Sequence, residues 1–105
     1  MNRGEVWVRF DPSVGGEIQK TRPAITFSSD RSNRNLNRVQ VVPLTSKVER
    51  LYPSEAFVTL EGKKAKALAD QLTTVSKLRV VNMIGKLSDS DLRAVESAVK
   101  RQLDL

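Results

Sequence analysis

Val39-Gln-Val-Val-Pro-Leu44 is six residues of mostly β-branched and apolar character, closed by two hydroxyl residues, Thr45 and Ser46. That length suits a strand better than a helix, and the valines favour the pleated conformation. Working outward, similar short runs bounded by turn residues occur at Glu5–Phe10 and Ala24–Ser28 before it and at Ala56–Leu60 after it. Two more are expected near Ala67–Val75 and Val80–Leu87. No helix-period pattern interrupts this series, so a small, mostly antiparallel β-barrel accounts for it more simply than alternating βαβ units. A barrel also hides its sheet edges.

The period changes at the C-terminal end. Ser88 is placed to cap a helix, with the carboxylate of Asp91 three residues on as the answering half of a capping box. Leu92, Val95, Val99 and Leu103 then recur on one face, while Arg93, Glu96, Lys100 and Arg101 fall elsewhere. This helix is expected to cover a barrel opening or join a dimer interface. The fold class expected is thus mostly β with a C-terminal α-helix, in one domain spanning residues 1–105.

Composition narrows the chemistry. A chain of 105 residues with 39% hydrophobic content can bury one modest core. No stretch approaches the roughly 20 apolar residues that cross a bilayer, and the start, Met-Asn-Arg-Gly-Glu-Val-Trp, lacks the apolar segment of a secretory signal. A cytoplasmic location is expected. Without cysteine there is no thiolate nucleophile or zinc site, and without histidine the usual neutral-pH base and commonest metal ligand are missing. Catalysis would have to use Arg, Lys, Glu, Asp, Ser, Thr or Tyr. Eighteen basic against twelve acidic residues give a net charge of +6, which attracts polyanions: nucleic acid or an acidic protein.

Three segments have chemical potential. Asp11-Pro-Ser-Val-Gly-Gly-Glu-Ile-Gln-Lys-Thr-Arg-Pro23 is a long polar connection in which Gly15 and Gly16 let Glu17 approach a ligand, while Pro23 holds Arg22 extended at the mouth of a strand. A carboxylate base and a guanidinium fork suit phosphodiester cleavage; a surface salt bridge uses the same two residues. Thr45 and Ser46, at a strand end, suit a phosphate or bond neighbouring backbone in a turn. Ser28-Ser-Asp-Arg-Ser-Asn-Arg-Asn-Leu-Asn-Arg38 shows neither period and reads as a mobile loop. Its Arg and Asn side chains can contact bases and phosphates, or simply be solvated. Lys63-Lys-Ala-Lys66 reads as a solvated turn after Gly62. Trp7, Phe10, Phe27 and Phe57 fit core-facing strand positions, and Tyr52 beside Pro53 is the better base-stacking candidate.

In order along the chain, Arg3-Gly-Glu-Val-Trp7, Phe10-Asp-Pro12, Gly16-Glu17, Arg22-Pro23, Val42-Pro-Leu-Thr-Ser46 and Leu68-Ala-Asp-Gln71 resemble the MazF/PemK (Kid-like) toxins. The resemblance implies a small SH3-like antiparallel barrel with a C-terminal helix, shared with CcdB-like toxins, and a homodimer with RNA-binding grooves near its interface. It implies a metal-independent endoribonuclease without cofactor that cuts short single-stranded RNA sequences, leaving 2′,3′-cyclic phosphate and 5′-hydroxyl ends. It implies also an acidic, MazE-like antitoxin as partner. By position, Glu17, Arg22 and Thr45 match the family's proposed catalytic residues. Gly16, Lys20, Arg31, Asn33, Arg34, Ser46, Lys47, Tyr52 and Gln71 are expected to contact RNA. Gly16 and Ile18 stand where many relatives carry Ser and Gln. Thr73, Thr74 and Val75 stand where some plasmid-borne relatives carry an Arg and Asp pair, so that pair does not transfer. A non-catalytic toxin of the CcdB type is the alternative on this fold, although the end Gln102-Leu-Asp-Leu105 lacks the residues with which such poisons grip gyrase. A plain RNA-binding barrel is the third reading.

Overall fold

The computed structural model describes residues 1–11 and 20–105. Among these, strands β1 (Glu5–Asp11), β2 (Lys20–Thr26), β3 (Arg38–Thr45), β4 (Glu55–Leu60), β5 (Lys63–Leu68), β6 (Thr73–Ser76) and β7 (Val80–Lys86) form one antiparallel sheet. Helices α1 (Asp30–Asn35) and α2 (Asp89–Leu103) complete the fold. The strand order is β4-β5-β3-β2-β1-β7, with β6 beside β3.

β3 is the spine because both of its edges are used. One edge pairs with β2, from Ala24 opposite Pro43 to Thr26 opposite Val41. The other is shared: β6 pairs with Arg38 to Val41, and β5 with Leu44 and Thr45. Pro43 falls in the gap between those two partners, where its missing N–H deprives no ladder of a bond. Val39, Val41, Val42 and Leu44 are all buried, as the continuous apolar run requires of a strand covered on both faces. The expected strand over Ala67–Val75 is therefore two strands. A 3-10 turn at Ala69–Gln71 shifts the chain from β5 to β6 along β3, and Ala69 N–H donates to Ser54 O to hold it.

The sheet curls without closing its ladder. Two register shifts in the β1–β7 pairing bend that end, as bulges do. β4 and β7 remain the ends of the path. They meet through side chains instead, for a Cβ on Gly85 would lie 3.1 Å from Leu60 Cδ1, so glycine is what lets β4 approach β7. The expected barrel is thus a half-barrel whose seam is apolar packing rather than hydrogen bonds.

Val95, Ala98 and Val99 of α2 enter a core built with Val6, Ile25, Val42, Leu44, Val58 and Leu87. Ser88 Oγ accepts the Asp91 N–H at 3.1 Å, the expected cap. The Asp91 carboxylate does not return to Ser88, however; it accepts the Thr59 N–H of β4 at 2.8 Å, covering an edge donor. Leu103 is 51% exposed and Ala98 takes the core position instead, because the last turn of α2 runs past the sheet. Phe27 packs on the core. Phe57 lies on the opposite strand face from buried Ala56 and Val58, with Lys64 Nζ 3.8 Å above its ring, and Trp7 is half-buried with its indole N–H on Glu5 Oε1. The side chain of Phe10 lies outside the described residues.

The segment expected to be a mobile loop contains α1. Ser29 caps it, accepting the Ser32 N–H at 3.2 Å. Six residues are too few for a hydrophobic period to register. Among the described residues no helix is long and apolar enough to cross a membrane.

Candidate RNA-cleavage site

Arg22 and Thr45 lie on neighbouring strands, two residues beyond the Ala24–Pro43 pair at which the β2–β3 ladder ends, and Thr45 pairs instead with Lys66 of β5. Arg22 is exposed, and its partner in β1 is Arg9. Directly opposed residues of antiparallel strands project from the same face, so two guanidinium groups concentrate positive charge there.

Thr45 is half-buried, and its Oγ1 accepts the Lys47 N–H at 3.2 Å. The turn-forming role and the phosphate-binding role are compatible. The bond from Lys47 fixes the hydroxyl, and the hydroxyl hydrogen remains to donate to a phosphoryl oxygen. Thr45 and Ser46 line a groove of about 300 Å³ whose floor is Pro23, Leu44, Leu60 and Ala65 and whose rim includes Glu61, Lys63 and Lys64. Lys63 and Lys64, read from sequence as a solvated turn, belong instead to the start of β5. The turn is Glu61-Gly62, with φ of 52° and 76°, a two-residue hairpin that sets Lys63 opposite the groove-lining Leu60, while the Lys64 ammonium sits over Phe57. The Glu-Gly pair between two β-rich runs was the available signal.

The loop from Ser46 to Ser54 is held from beneath by a buried ion pair. Lys66 Nζ lies 2.9 Å from Glu55 Oε1, with side chains only 9% and 11% exposed. Lys66 also donates to Arg50 O at 2.7 Å, and Glu55 Oε1 accepts the Tyr52 N–H at 2.9 Å. Burial pushes the Glu55 carboxyl up, but the Tyr52 N–H and the Lys66 ammonium outweigh it and hold the group below its ordinary pKa. Lys66 is the cross-strand partner of Thr45, so the same clamp reaches the groove.

Tyr52 is 51% exposed, with the Arg50 guanidinium 6.0 Å and the Lys66 ammonium 5.8 Å from its ring centroid. Ser46 and Lys47 are exposed at the start of the same loop, and Gln71 is exposed at the end of its 3-10 turn, outside the groove lining. Glu17 and Gly16 lie outside the described residues, as does the side chain of Lys20. Among the described residues no three His, Cys, Asp or Glu side chains converge as a metal site would require.

Arg31 and Arg34 are exposed on α1, next to the start of β3, whereas Thr45 is at its end. Eight strand residues separate the two by about 23 Å. Within one chain those arginines are therefore not part of the groove. Asn33 corrects its expected role as an RNA contact. It is 1% exposed, its Nδ2 donates to Ser28 O at 3.0 Å, its Oδ1 accepts from Ser28 Oγ, and its carbonyl accepts from Lys77 Nζ. Its amide ties α1 to the sheet and is turned away from solvent. Asn33→Ala is expected to destabilise the fold by about 2 kcal/mol, the cost of stranding buried partners, measured by urea unfolding.

The family described as PemK-like, MazF-like toxin of type II toxin–antitoxin system matches residues 2–103. The chain is similar to Endoribonuclease MazF9 of Mycobacterium tuberculosis (strain ATCC 25618 / H37Rv), at 36% identity over 115 residues covering 100% of this chain and 98% of that protein. Its fold is that of a mycobacterial endoribonuclease solved in complex with its cognate antitoxin (TM-score 0.84, 21% identity, 100% and 96% of the two chains). It also resembles a MazE–MazF structure (Form-III) from Deinococcus radiodurans, with TM-score 0.79, 26% identity and 100% and 97% coverage.

Proposed function

The chain belongs to the PemK-like, MazF-like toxins of type II toxin–antitoxin systems and is an endoribonuclease of that kind, and from that premise we propose how its residues cut RNA. The reading is of one toxin domain over residues 1–105, acting as a cytoplasmic homodimer on short single-stranded sequences without metal or cofactor. The hydroxyl pair Thr45-Ser46 in a groove that Lys63 also lines, with Arg22 exposed next to the groove-lining Pro23, is the observation that supports it most.

The RNA 2′-hydroxyl attacks the adjacent phosphorus, and the bond from phosphorus to the 5′ oxygen breaks. Glu17 accepts the 2′-hydroxyl proton; the departing 5′ oxygen takes up a proton from solvent, leaving 2′,3′-cyclic phosphate and 5′-hydroxyl ends. Arg22 stabilises the charge that builds on the phosphoryl oxygens, a role a guanidinium fills better than proton donation because its pKa exceeds about 12. Thr45 donates its hydroxyl hydrogen and orients the phosphate. An acidic MazE-like antitoxin binds the same toxin, and the net charge of +6 suits both it and RNA.

The test is incubation of the purified protein, in EDTA, with a long unstructured RNA and its DNA counterpart, with every new end mapped. Cuts confined to RNA at a recurring short sequence, bearing 5′-hydroxyls, are expected. A folded protein that leaves a broad set of RNA sequences intact overturns the reading in favour of a non-catalytic toxin, and one that binds RNA without cutting points to a plain RNA-binding barrel.

A further inference from the structure

Glu61 places a carboxylate on the rim of a groove that otherwise invites phosphate. It lines the same cavity as Thr45 and Ser46, and Lys63 and Lys64 stand beside it. Among the described residues its carboxylate has neither a hydrogen-bond nor an ion-pair partner. Its backbone is left-handed, φ 52°, at the first position of the two-residue turn. Asn, Asp and Gly take that position readily in hairpins, and a longer side chain does so against steric resistance. A residue held in an unfavourable conformation at the mouth of a candidate site is a reason to look for work done by its side chain.

Facing a phosphate, a carboxylate opposes binding. Facing a base edge, it is an acceptor pair. Guanine alone presents two adjacent donors on its Watson–Crick edge, N1–H and the N2 amino group, which match the two carboxylate oxygens. Adenine and cytosine each set one amino donor beside a ring-nitrogen acceptor, and uracil sets its single N–H between two carbonyls; each meets the second carboxylate oxygen with repulsion. The groove floor of Pro23, Leu44, Leu60 and Ala65 offers an apolar surface for a base face. At about 300 Å³ the cavity is at the small end of ligand sites, sized for one unstacked base rather than a run of them.

We propose that Glu61 is a specificity-determining residue that accepts both donors of a guanine lodged in this groove, beside the phosphate that Thr45 holds. This deepens the endoribonuclease reading and rests on it. Lys63 beside it then neutralises a flanking phosphate, so the carboxylate selects a base while the ammonium group holds the strand. Glutamine at this position keeps the shape but replaces one acceptor with a donor, which conflicts with guanine's two donors.

The experiment uses short RNAs carrying the mapped cleavage sequence or, for a protein that binds without cutting, the sequence it selects from a random RNA pool, with guanosine or inosine at each guanine position in turn; inosine lacks only the N2 amino group. Their uncleavable counterparts carry a 2′-deoxy residue at the cut. With wild-type protein, inosine at one position lowers kcat/KM and affinity about tenfold, the scale of one lost bidentate contact. With Glu61→Gln the guanosine-to-inosine ratio falls to near one at that same position. If the mapped sequence contains no guanine, or if Glu61→Gln preserves the ratio or raises affinity for all sequences alike, the proposal is overturned. In the last case the carboxylate merely repels phosphate. Because fluorescence anisotropy on the uncleavable RNAs reads selection without chemistry, a wild-type protein that discriminates guanosine but never cuts removes the nuclease reading and leaves the base assignment standing.

Discussion

Arg22→Ala lowers the single-turnover rate of RNA cleavage by about 100- to 1,000-fold, the usual loss when one preorganised donor to a developing oxyanion is removed. The expectation follows from position. Arg22 is exposed in β2 directly across from Arg9 and next to Pro23, which lines the groove with Thr45. Its side chain leaves the core intact, so the variant's thermal unfolding should match wild type. Arg22→Lys keeps the charge but loses the planar fork, and should recover only part of the rate. Binding to an uncleavable RNA separates the roles. A change confined to affinity would make Arg22 a strand-holding residue, and the assignment of transition-state stabilisation would be withdrawn. A rate within a few-fold of wild type in a folded Arg22→Ala protein would remove it from the site altogether.

The contrast between Arg22 and Asn33 marks how far sequence reading reaches. That Arg22 stands extended and exposed in a strand was legible because Pro23 restricts the backbone before it. Asn33 was not, since an asparagine in a polar stretch looks the same whether it faces water or caps a buried corner. Only the fold shows Ser28 and Lys77 closing on it. β3 was readable end to end from its valines, and α2 from its serine cap and apolar spacing. The division of Ala67–Val75 was hidden because its cause is non-local: β3 changes partner at Pro43, and the chain alongside must step with it. The lysines at 63 and 64 were misplaced for a simpler reason. Alternation is weak in Lys-Lys-Ala-Lys, and their strand exists because Phe57 to Leu60 supplies a mate for it.

Lys66 is the strongest case of a charge whose meaning only packing reveals, and Lys66→Met is expected to destabilise the protein by about 3 kcal/mol in urea unfolding. That is the low end for breaking a buried pair, chosen because both groups retain some exposure. Methionine fills similar volume, so the loss comes from leaving the Glu55 carboxylate buried without its cation and Arg50 O without its donor. The pH dependence supplies an independent check. In wild type the folded-state pKa of Glu55 is depressed, so its contribution is complete above the ordinary carboxylate pKa and is lost as pH falls through the depressed folded value. In Lys66→Met the burial that pushes the carboxyl up acts without the ammonium, so the depression shrinks or reverses and acidification costs the variant less. The gap between the two proteins should therefore narrow as pH falls below about 4. The double variant Lys66→Met/Glu55→Leu, which removes both charges, should recover much of the lost stability, because an apolar pair leaves no stranded ion. Equal stability of wild type and Lys66→Met at neutral pH would mean that solvent already satisfies Glu55, and that the loop bearing Tyr52 is set by its own backbone turns rather than by the clamp beneath it.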